Sequence, residues 1–312
     1  MHVVIAGGTG FIGRALSPSL LADGHEVTIL SRSEDRSRVA AGARIAVWNG
    51  RDVGPWAKTL ERADALVNLA GASLAGDGAI PARWNAAYKA KIRDSRLSAG
   101  AALMAAMKTL DMPPAVLVQA SGVGVYGSWD GDDAPQCVES CPPGDDFLAR
   151  LAVDWEASTE DAGQLGIRRV VIRTGVVLAA HGGALPRMAM PVRMGFGGPL
   201  GHGRQMLSWI HLDDEVRAIR FLIEEYTGGG AFNLAAPSPV SNADFGRILA
   251  KSLGRPFWLP APAFAMRLLL GEAAALVLTG QQAEPAELLR AGFRFNYPEL
   301  PEALAAIYPR AS

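Results

Sequence analysis

Three glycines spaced three apart, Gly7, Gly10 and Gly13, follow the apolar run Val3-Val4-Ile5-Ala6 and lead into Phe11, Ile12, Ala15, Leu16 and Leu20 at helical spacing. A strand that turns on glycine into a helix is suited to hold phosphate. Gly7 turns the chain, Gly10 lets backbone approach a pyrophosphate without a Cβ in the way, and Gly13 lets the helix pack close on the strand. The helix start then presents free N–H groups and the positive end of its dipole to the anion. Strand, glycine turn and helix together form the context of a dinucleotide-binding fingerprint, with Thr9, Phe11 and Ile12 beside the phosphates through their backbone.

The next informative residues stand at the tip of the second strand, Glu26–Leu30, where the chain reads Ser31-Arg32-Ser33 with Arg36 and Arg38 close by. An acid about 20 residues past the glycines holds a ribose 2′-hydroxyl, whereas a 2′-phosphate calls for a cation and hydroxyl donors. Arg32 with Ser31 therefore points to NADP. A third place is the end of the run Ala65-Leu66-Val67-Asn68-Leu69-Ala70-Gly71, where Leu69 and the small residues after it, Ala70 and Gly71, leave room for a cofactor lying across the sheet.

These residues need a framework of alternating elements. Ala43–Val47 reads as a third strand, 65–71 as a fourth, and Pro81–Leu110 as a helix stopped by Pro113-Pro114. The helix charges Lys89, Lys91, Arg93, Asp94 and Arg96 are expected on a solvated face. Ala115–Ala120 is a fifth strand, Phe147–Gly163 a helix and Arg168–Leu178 a sixth strand. The alternation predicts an α/β fold: a Rossmann-type, doubly wound parallel sheet with a small, mostly helical C-terminal cap. Residues 180–208 are rich in glycine, with Pro186, Pro191 and Pro199, and show no period; such a loop is expected to be a lid or substrate-binding segment. Asp213 is the expected N-cap of a helix through Tyr226, Ala231–Ala235 a last strand, and Ser241 the cap of a helix over 242–253. The expected division is a dinucleotide-binding domain over 1–179 and 209–236, with 180–208 and 237–312 forming a substrate and cap region.

Composition excludes several classes. With 312 residues, 49% hydrophobic and 20% charged, the chain is long enough for a sizeable core. A net charge of −1 offers no basic footprint for nucleic acid or anionic lipid. The apolar stretch Phe264–Thr279 is too short to span a bilayer and carries Arg267 and Glu272, so it is expected as a buried or capping helix. The N-terminus holds the glycine turn rather than a signal peptide. Cys137 and Cys141 lack a second pair for a zinc site and are expected as free thiols in a reducing cytoplasm. A metal set of His181, His202, His211 and Asp213 has irregular spacing, and no metal is expected.

Gly7-Gly8-Thr9-Gly10-Phe11-Ile12-Gly13, Val125-Tyr126-Gly127 and Ile210-His211-x-Asp213-Asp214 together resemble the extended short-chain dehydrogenase/reductases of the sugar-nucleotide epimerase and dehydratase group. Asn68-Leu69-Ala70-Gly71, Ser95-Arg96, Asp154-Trp155-Glu156, Gly203-x-Gln205-x-x-Ser208-Trp209 and Gly292-Phe293-x-Phe295 narrow the resemblance to its atypical epimerase-family branch. The resemblance implies a bound nicotinamide dinucleotide and a small-molecule, sugar-like substrate. It also exposes a departure. Members of the group use a Tyr-x-x-x-Lys pair, whose Lys lowers the Tyr pKa and holds the ribose. None of the five lysines here has a Tyr four residues before it, and the corresponding slots fall near Leu148 and Ala152. Ser121 resembles the catalytic Ser, five residues before Tyr126 where four are usual. Two main readings follow: an NADP-dependent oxidoreductase or epimerase whose proton relay has moved to Ser121, Tyr126 or a loop histidine, or an NADP(H)-binding sensor without turnover.

Overall fold

The computed structural model describes residues 1–76, 78, 81–131 and 133–309. Strand and helix alternate from the start: β1 (His2–Ala6), α1 (Phe11–Ala22), β2 (Glu26–Ser31), β3 (Arg44–Val47) and β4 (Ala65–Asn68). α2 (Ala86–Met107) leads to β5 (Val116–Gly122), the two-residue β6 (Gln136–Cys137) precedes α3 (Phe147–Ala157), and β7 (Arg168–Thr174) follows. The central strands are continuous apolar runs, and Val3–Ala6 and Ala65–Val67 are fully buried, as a parallel sheet covered on both faces requires. Leu16 and Leu20 of α1 pack on one face, with Val3, Ile5 and Ile29, while Leu103 and Met107 of α2 pack on the other with Val4, Leu66 and Leu117.

Several expected boundaries shift. α2 starts at Ala86, not Pro81, because the Asn85 side chain accepts from Tyr88 N–H and caps it there. α3 ends at Ala157, and a separate 3-10 turn covers Glu160–Leu165. The expected sixth strand, Arg168–Leu178, is cut at Gly175, where a Cβ would lie 2.7 Å from Ser208 O. β8 (Val176–Ala179) leaves the main sheet there. It pairs antiparallel with β9 (Gly182–Gly183) and parallel with β11 (Trp209–His211).

Between these lies α4 (Leu185–Arg193), a helix within the segment expected to be irregular; Pro186 sits in its first turn, where proline is tolerated. β10 (Met206–Leu207) precedes β11, and α5 (Leu212–Glu224) is capped by His211, whose Nδ1 accepts from Asp213 N–H at 3.1 Å. Asp213 is therefore the donor to the cap and not the cap. β12 (Gly230–Leu234) completes a seven-stranded, all-parallel sheet in the order β12-β7-β5-β4-β1-β2-β3.

The C-terminal region is helical. β13 (Val240–Ser241) pairs with β10, and Ser241 caps α6 (Asn242–Ser252) as expected. The stretch from Phe264 is not one helix. It is divided into α7 (Ala263–Leu270), a 3-10 turn and α8 (Ala275–Leu278), with Gly271 at φ +61° making the break. Phe264 and Leu268 are 72% and 75% exposed, so of the expected alternatives, a buried or a capping helix, the buried one does not hold for them. β14 (Gln282–Ala283), α9 (Ala286–Arg290) and α10 (Leu300–Ile307) end the fold. Leu249 of α6 and Leu300 and Leu304 of α10 share one core with Leu185 of α4, Leu178 of β8 and Trp209 of β11. Among the described residues no helix is long and apolar enough to cross a membrane, and residues 310–312 of the expected cap lie outside them.

Candidate dinucleotide site

The glycine turn has a different constraint at each position. Gly7 sits at φ +82°, and a Cβ on it would lie 2.7 Å from both C and O of Leu69. At Gly13 a Cβ would come within 2.5 Å of Gly8 Cα and 2.6 Å of Gly7 O, so the start of α1 can approach the turn only through glycine. Gly10 differs: its Cβ would meet only Gly7 O, at 3.0 Å, and otherwise point into open space. Gly10 is also the N-cap of α1 and supplies no side-chain oxygen to the first N–H groups, nor is there an acid in the first turn. The result is an open cradle with unneutralised donors, which fits a pyrophosphate. Thr9, Phe11 and Ile12 flank it, and the Phe11 ring lies against Gly182 and Gly183, where a Cβ would come within 2.5 Å and 2.7 Å of ring atoms.

On the β2 side of β1, Ser31 is nearly buried and Arg32 is exposed. Ser31 O accepts from Trp48 N–H at 2.9 Å, and its Oγ accepts from Ser33 N–H at 3.3 Å. Arg32 lines a cleft of about 400 Å³ together with Trp48, Asn49, Asp52, Val53 and Trp56. No carboxylate among the described residues pairs with Arg32. Trp48 and Trp56 meet edge-to-face at 5.4 Å, giving the cleft an apolar wall, and Asn49 Oδ1 accepts from Arg51 and Asp52 N–H to fix its rim. Trp48, Asn49 and Trp56 escaped the sequence reading. The signal for Trp48 and Asn49 was their position just past the third strand, beside Arg32 across a parallel pair; Trp56 lies on the 3-10 turn Pro55–Leu60.

On the opposite side of β1, Leu69, Ala70 and Gly71 follow β4 and run against Gly7. Asn68, fully buried, donates to Gln119 Oε1 at 2.8 Å and accepts from Ala70 N–H at 3.2 Å. The next residue pair to matter is Ser95-Arg96 on α2. Ser95 Oγ accepts from Ala72 N–H at 2.9 Å, and Arg96 Nη1 donates to Ala72 O at 3.0 Å, so both backbone groups of one loop residue are held. Arg96 does not lie on a solvated face as expected. It is 8% exposed, with its guanidinium carbon 4.7 Å above the Trp155 ring, and burial pulls its pKa down to about 10.

Ser121 and Tyr126 are brought into one network, but their hydroxyls are engaged in it. Ser121 donates to Glu156 Oε1 at 2.6 Å, and Arg173 pairs with both oxygens of Glu156 at 2.9 and 3.0 Å. Arg173 also donates to Tyr126 Oη at 3.1 Å, while Tyr126 donates to the buried Asn233 Oδ1 at 2.7 Å. Burial pushes the Tyr126 phenol up, with Arg173 opposing it. The residues at the vacant Tyr and Lys slots, Leu148 and Ala152, pack as apolar side chains, Ala152 being buried.

The histidines are scattered. His181 lies 6.2 Å from the Phe11 ring centroid, His202 pairs with Asp130, and His211 stacks on Tyr297 at 4.0 Å. Among the described residues no three such side chains gather as a metal site. Cys137 and Cys141 are free, and burial raises the Cys137 thiol to about 11.

Comparison with known proteins finds relatives over nearly the whole chain. The model of the NAD dependent epimerase/dehydratase family matches residues 3–235, and a domain of unknown function, DUF1731, matches residues 261–307. Epimerase family protein MT2273 of Mycobacterium tuberculosis is 41% identical over 303 residues, covering 97% of this chain and 96% of that protein. The crystal structure of human epimerase family protein SDR39U1 (isoform2) with NADPH superposes with a TM-score of 0.87 at 34% identity, covering 100% of both chains. UDP-glucose 4-epimerase of Thermus thermophilus, crystallised with NAD, shares the fold at a TM-score of 0.74 and 20% identity, over 100% of both chains. With the family model matching most of the chain and relatives at 34–41% identity over nearly its whole length, this chain belongs to the NAD dependent epimerase/dehydratase family.

Proposed function

We propose that the chain binds NADP(H), with the pyrophosphate over Gly10, Thr9, Phe11 and Ile12, the 2′-phosphate on Arg32 and Ser31, and the second half of the cofactor along Leu69, Ala70 and Gly71. The observation that carries this reading is Arg32, an exposed cation without a carboxylate partner among the described residues, at the mouth of the Trp48–Trp56 cleft. The 2′-phosphate would meet a guanidinium able to bond it in two places, where an acid would have selected the 2′-hydroxyl. The human relative crystallised with NADPH supports the same choice.

The bound cofactor would supply a hydride, and the chain an oxidoreductase or epimerase site for a small, sugar-like substrate. That substrate would sit between the dinucleotide-binding part (1–179 and 209–236) and the 180–208 and 237–312 region. Ser121 and Tyr126 are its nearest hydroxyl relay candidates, joined through Glu156 and Arg173. A second reading, binding without turnover as a sensor, draws support from the same network, since the Tyr126 proton is held by Asn233 and no lysine among the described residues acts on it to lower its pKa.

The test is a pair of titrations with NADPH and NADH, wild type against Arg32→Ala. One or two charge-assisted bonds are worth about 1.5–3 kcal/mol each, so NADPH should bind about 10- to 1000-fold more tightly than NADH, and the variant should lose most of that margin. Equal wild-type affinities would end the NADP assignment. Steady oxidation of NADPH with carbonyl or sugar-nucleotide compounds then separates enzyme from sensor.

A further inference from the structure

Arg96 is a buried cation with an incomplete set of partners. Its Nη1 serves two carbonyls, Ala72 O and Ile92 O, each at 3.0 Å. Nε and Nη2 have no acceptor among the described residues. No described carboxylate neutralises the charge, although Asp154 and Glu156 stand beside Trp155, the ring it covers; Asp154 pairs with Arg93 and Glu156 with Arg173. A guanidinium held this way is costly unless something else uses its free donors.

The surroundings say what that is. Arg96 Cζ would lie 3.0 Å from a Cβ on Gly71, and the loop containing Gly71 also touches Gly7 of the phosphate turn. A dinucleotide lies across the switch point of a doubly wound sheet, one half on each side of β1. Arg32 marks the β2 side as the phosphoadenosine half, which leaves the β4 and β5 side, where Arg96 lies, to the nicotinamide half. The ring beneath Arg96, Trp155, stands three residues after Ala152, at the apolar slot where a lysine is missing.

We propose that Arg96 is the cation of the nicotinamide half, reaching it from the neighbouring helix α2 in place of the absent lysine of α3, and that it biases the site toward reduced cofactor. Its free Nε and Nη2 donate to the ribose hydroxyls. Its charge opposes the positive ring of NADP⁺ and leaves the neutral ring of NADPH unopposed, a difference on the order of tenfold in affinity at the separation of neighbouring groups. This proposal rests on the NADP(H) reading of the site.

The experiment titrates wild type, Arg96→Met and Arg96→Lys with NADPH, NADP⁺ and 2′,5′-ADP, a fragment that carries the 2′-phosphate but lacks the second ribose and the ring. Wild type should prefer NADPH over NADP⁺ by on the order of tenfold. Arg96→Met should weaken NADPH and bring the two affinities together while binding 2′,5′-ADP as wild type does. Arg96→Lys should keep the preference. An unchanged NADPH-to-NADP⁺ ratio in Arg96→Met, with 2′,5′-ADP still bound, overturns the role of Arg96 alone. Parallel losses for all three ligands in both variants would show that Arg96 only props the loop at Ala72, and likewise overturn it. Failure of the wild type to bind 2′,5′-ADP removes the NADP(H) reading itself.

Discussion

Glu215 shows how far one residue can be set by its surroundings. It sits in the first turn of α5, fully buried, accepting from Thr174 Oγ1 at 2.9 Å, and its other carboxyl oxygen has no partner among the described residues. Burial raises its pKa to about 8, so it stays protonated in the fold at neutral pH. Because the folded state holds the proton more tightly than the unfolded chain does, this contribution to stability is full below about pH 4.5 and declines as pH rises to about 8. The slope approaches about 1.4 kcal/mol per pH unit within that window. Glu215→Gln should flatten it: urea midpoints measured from pH 5 to 8 should fall steadily in wild type and hold level in the variant. Matching slopes would show that Glu215 is already ionised in the folded state.

At the scale of elements, the glycine turn separates ligand binding from folding. Gly10→Val should leave a folded domain with the wild-type circular dichroism spectrum and no measurable NADPH binding, because its Cβ projects into the cradle. Gly13→Val should instead cost several kcal/mol of stability, since the Cβ would strike the backbone of Gly7 and Gly8. A Gly10→Val variant that binds NADPH normally would remove the turn from the site. The turn, the strand alternation and the α6 cap at Ser241 were legible in the sequence because each depends on local rules: apolar runs, glycine geometry and a hydroxyl before a helix. Arg96 was not. On α2 it stands among Lys89, Lys91, Arg93 and Asp94, and it is covered by Trp155 of α3 and by the loop at Gly71 and Ala72, none of them near it in sequence. α4 was hidden by Pro186 and Pro191, and the His211 cap by the more usual cap residue two positions on. The cleft behind Arg32 needed the β2–β3 pairing, which sets Ser31 against Val47 and brings Trp48 and Asn49 beside the arginine.

In the whole molecule the C-terminal helices are not an appendage. Leu304 of α10 is fully buried in a core that includes Leu178 of β8, Leu185 of α4 and Trp209 of β11, and Trp209 Nε1 donates to Ser238 O at 3.0 Å. A second core sets Leu288 and Phe293 beside Val3, Leu16 and Leu20, so residues from both ends of the chain share one set of contacts. Unfolding should be a single transition, and Leu304→Ala should lower its midpoint by an amount matching about 2–5 kcal/mol without splitting it. Two resolved calorimetric peaks in either protein would show instead that the helical region melts by itself.

The close contact between the Phe11 ring and the Gly182-Gly183 backbone ties the first turn of α1 to the segment that opens into α4. Whatever steadies that turn must also restrict the hairpin of β8 and β9 and the helix after it, so ligand occupancy becomes a brake on local opening about 170 residues away along the chain. Amide hydrogen exchange should report it: NADPH should slow exchange across 183–193 as well as at the glycine turn, and Phe11→Ala should leave the first effect absent while retaining the second. Slowing of both segments in Phe11→Ala would show that the coupling travels by another route.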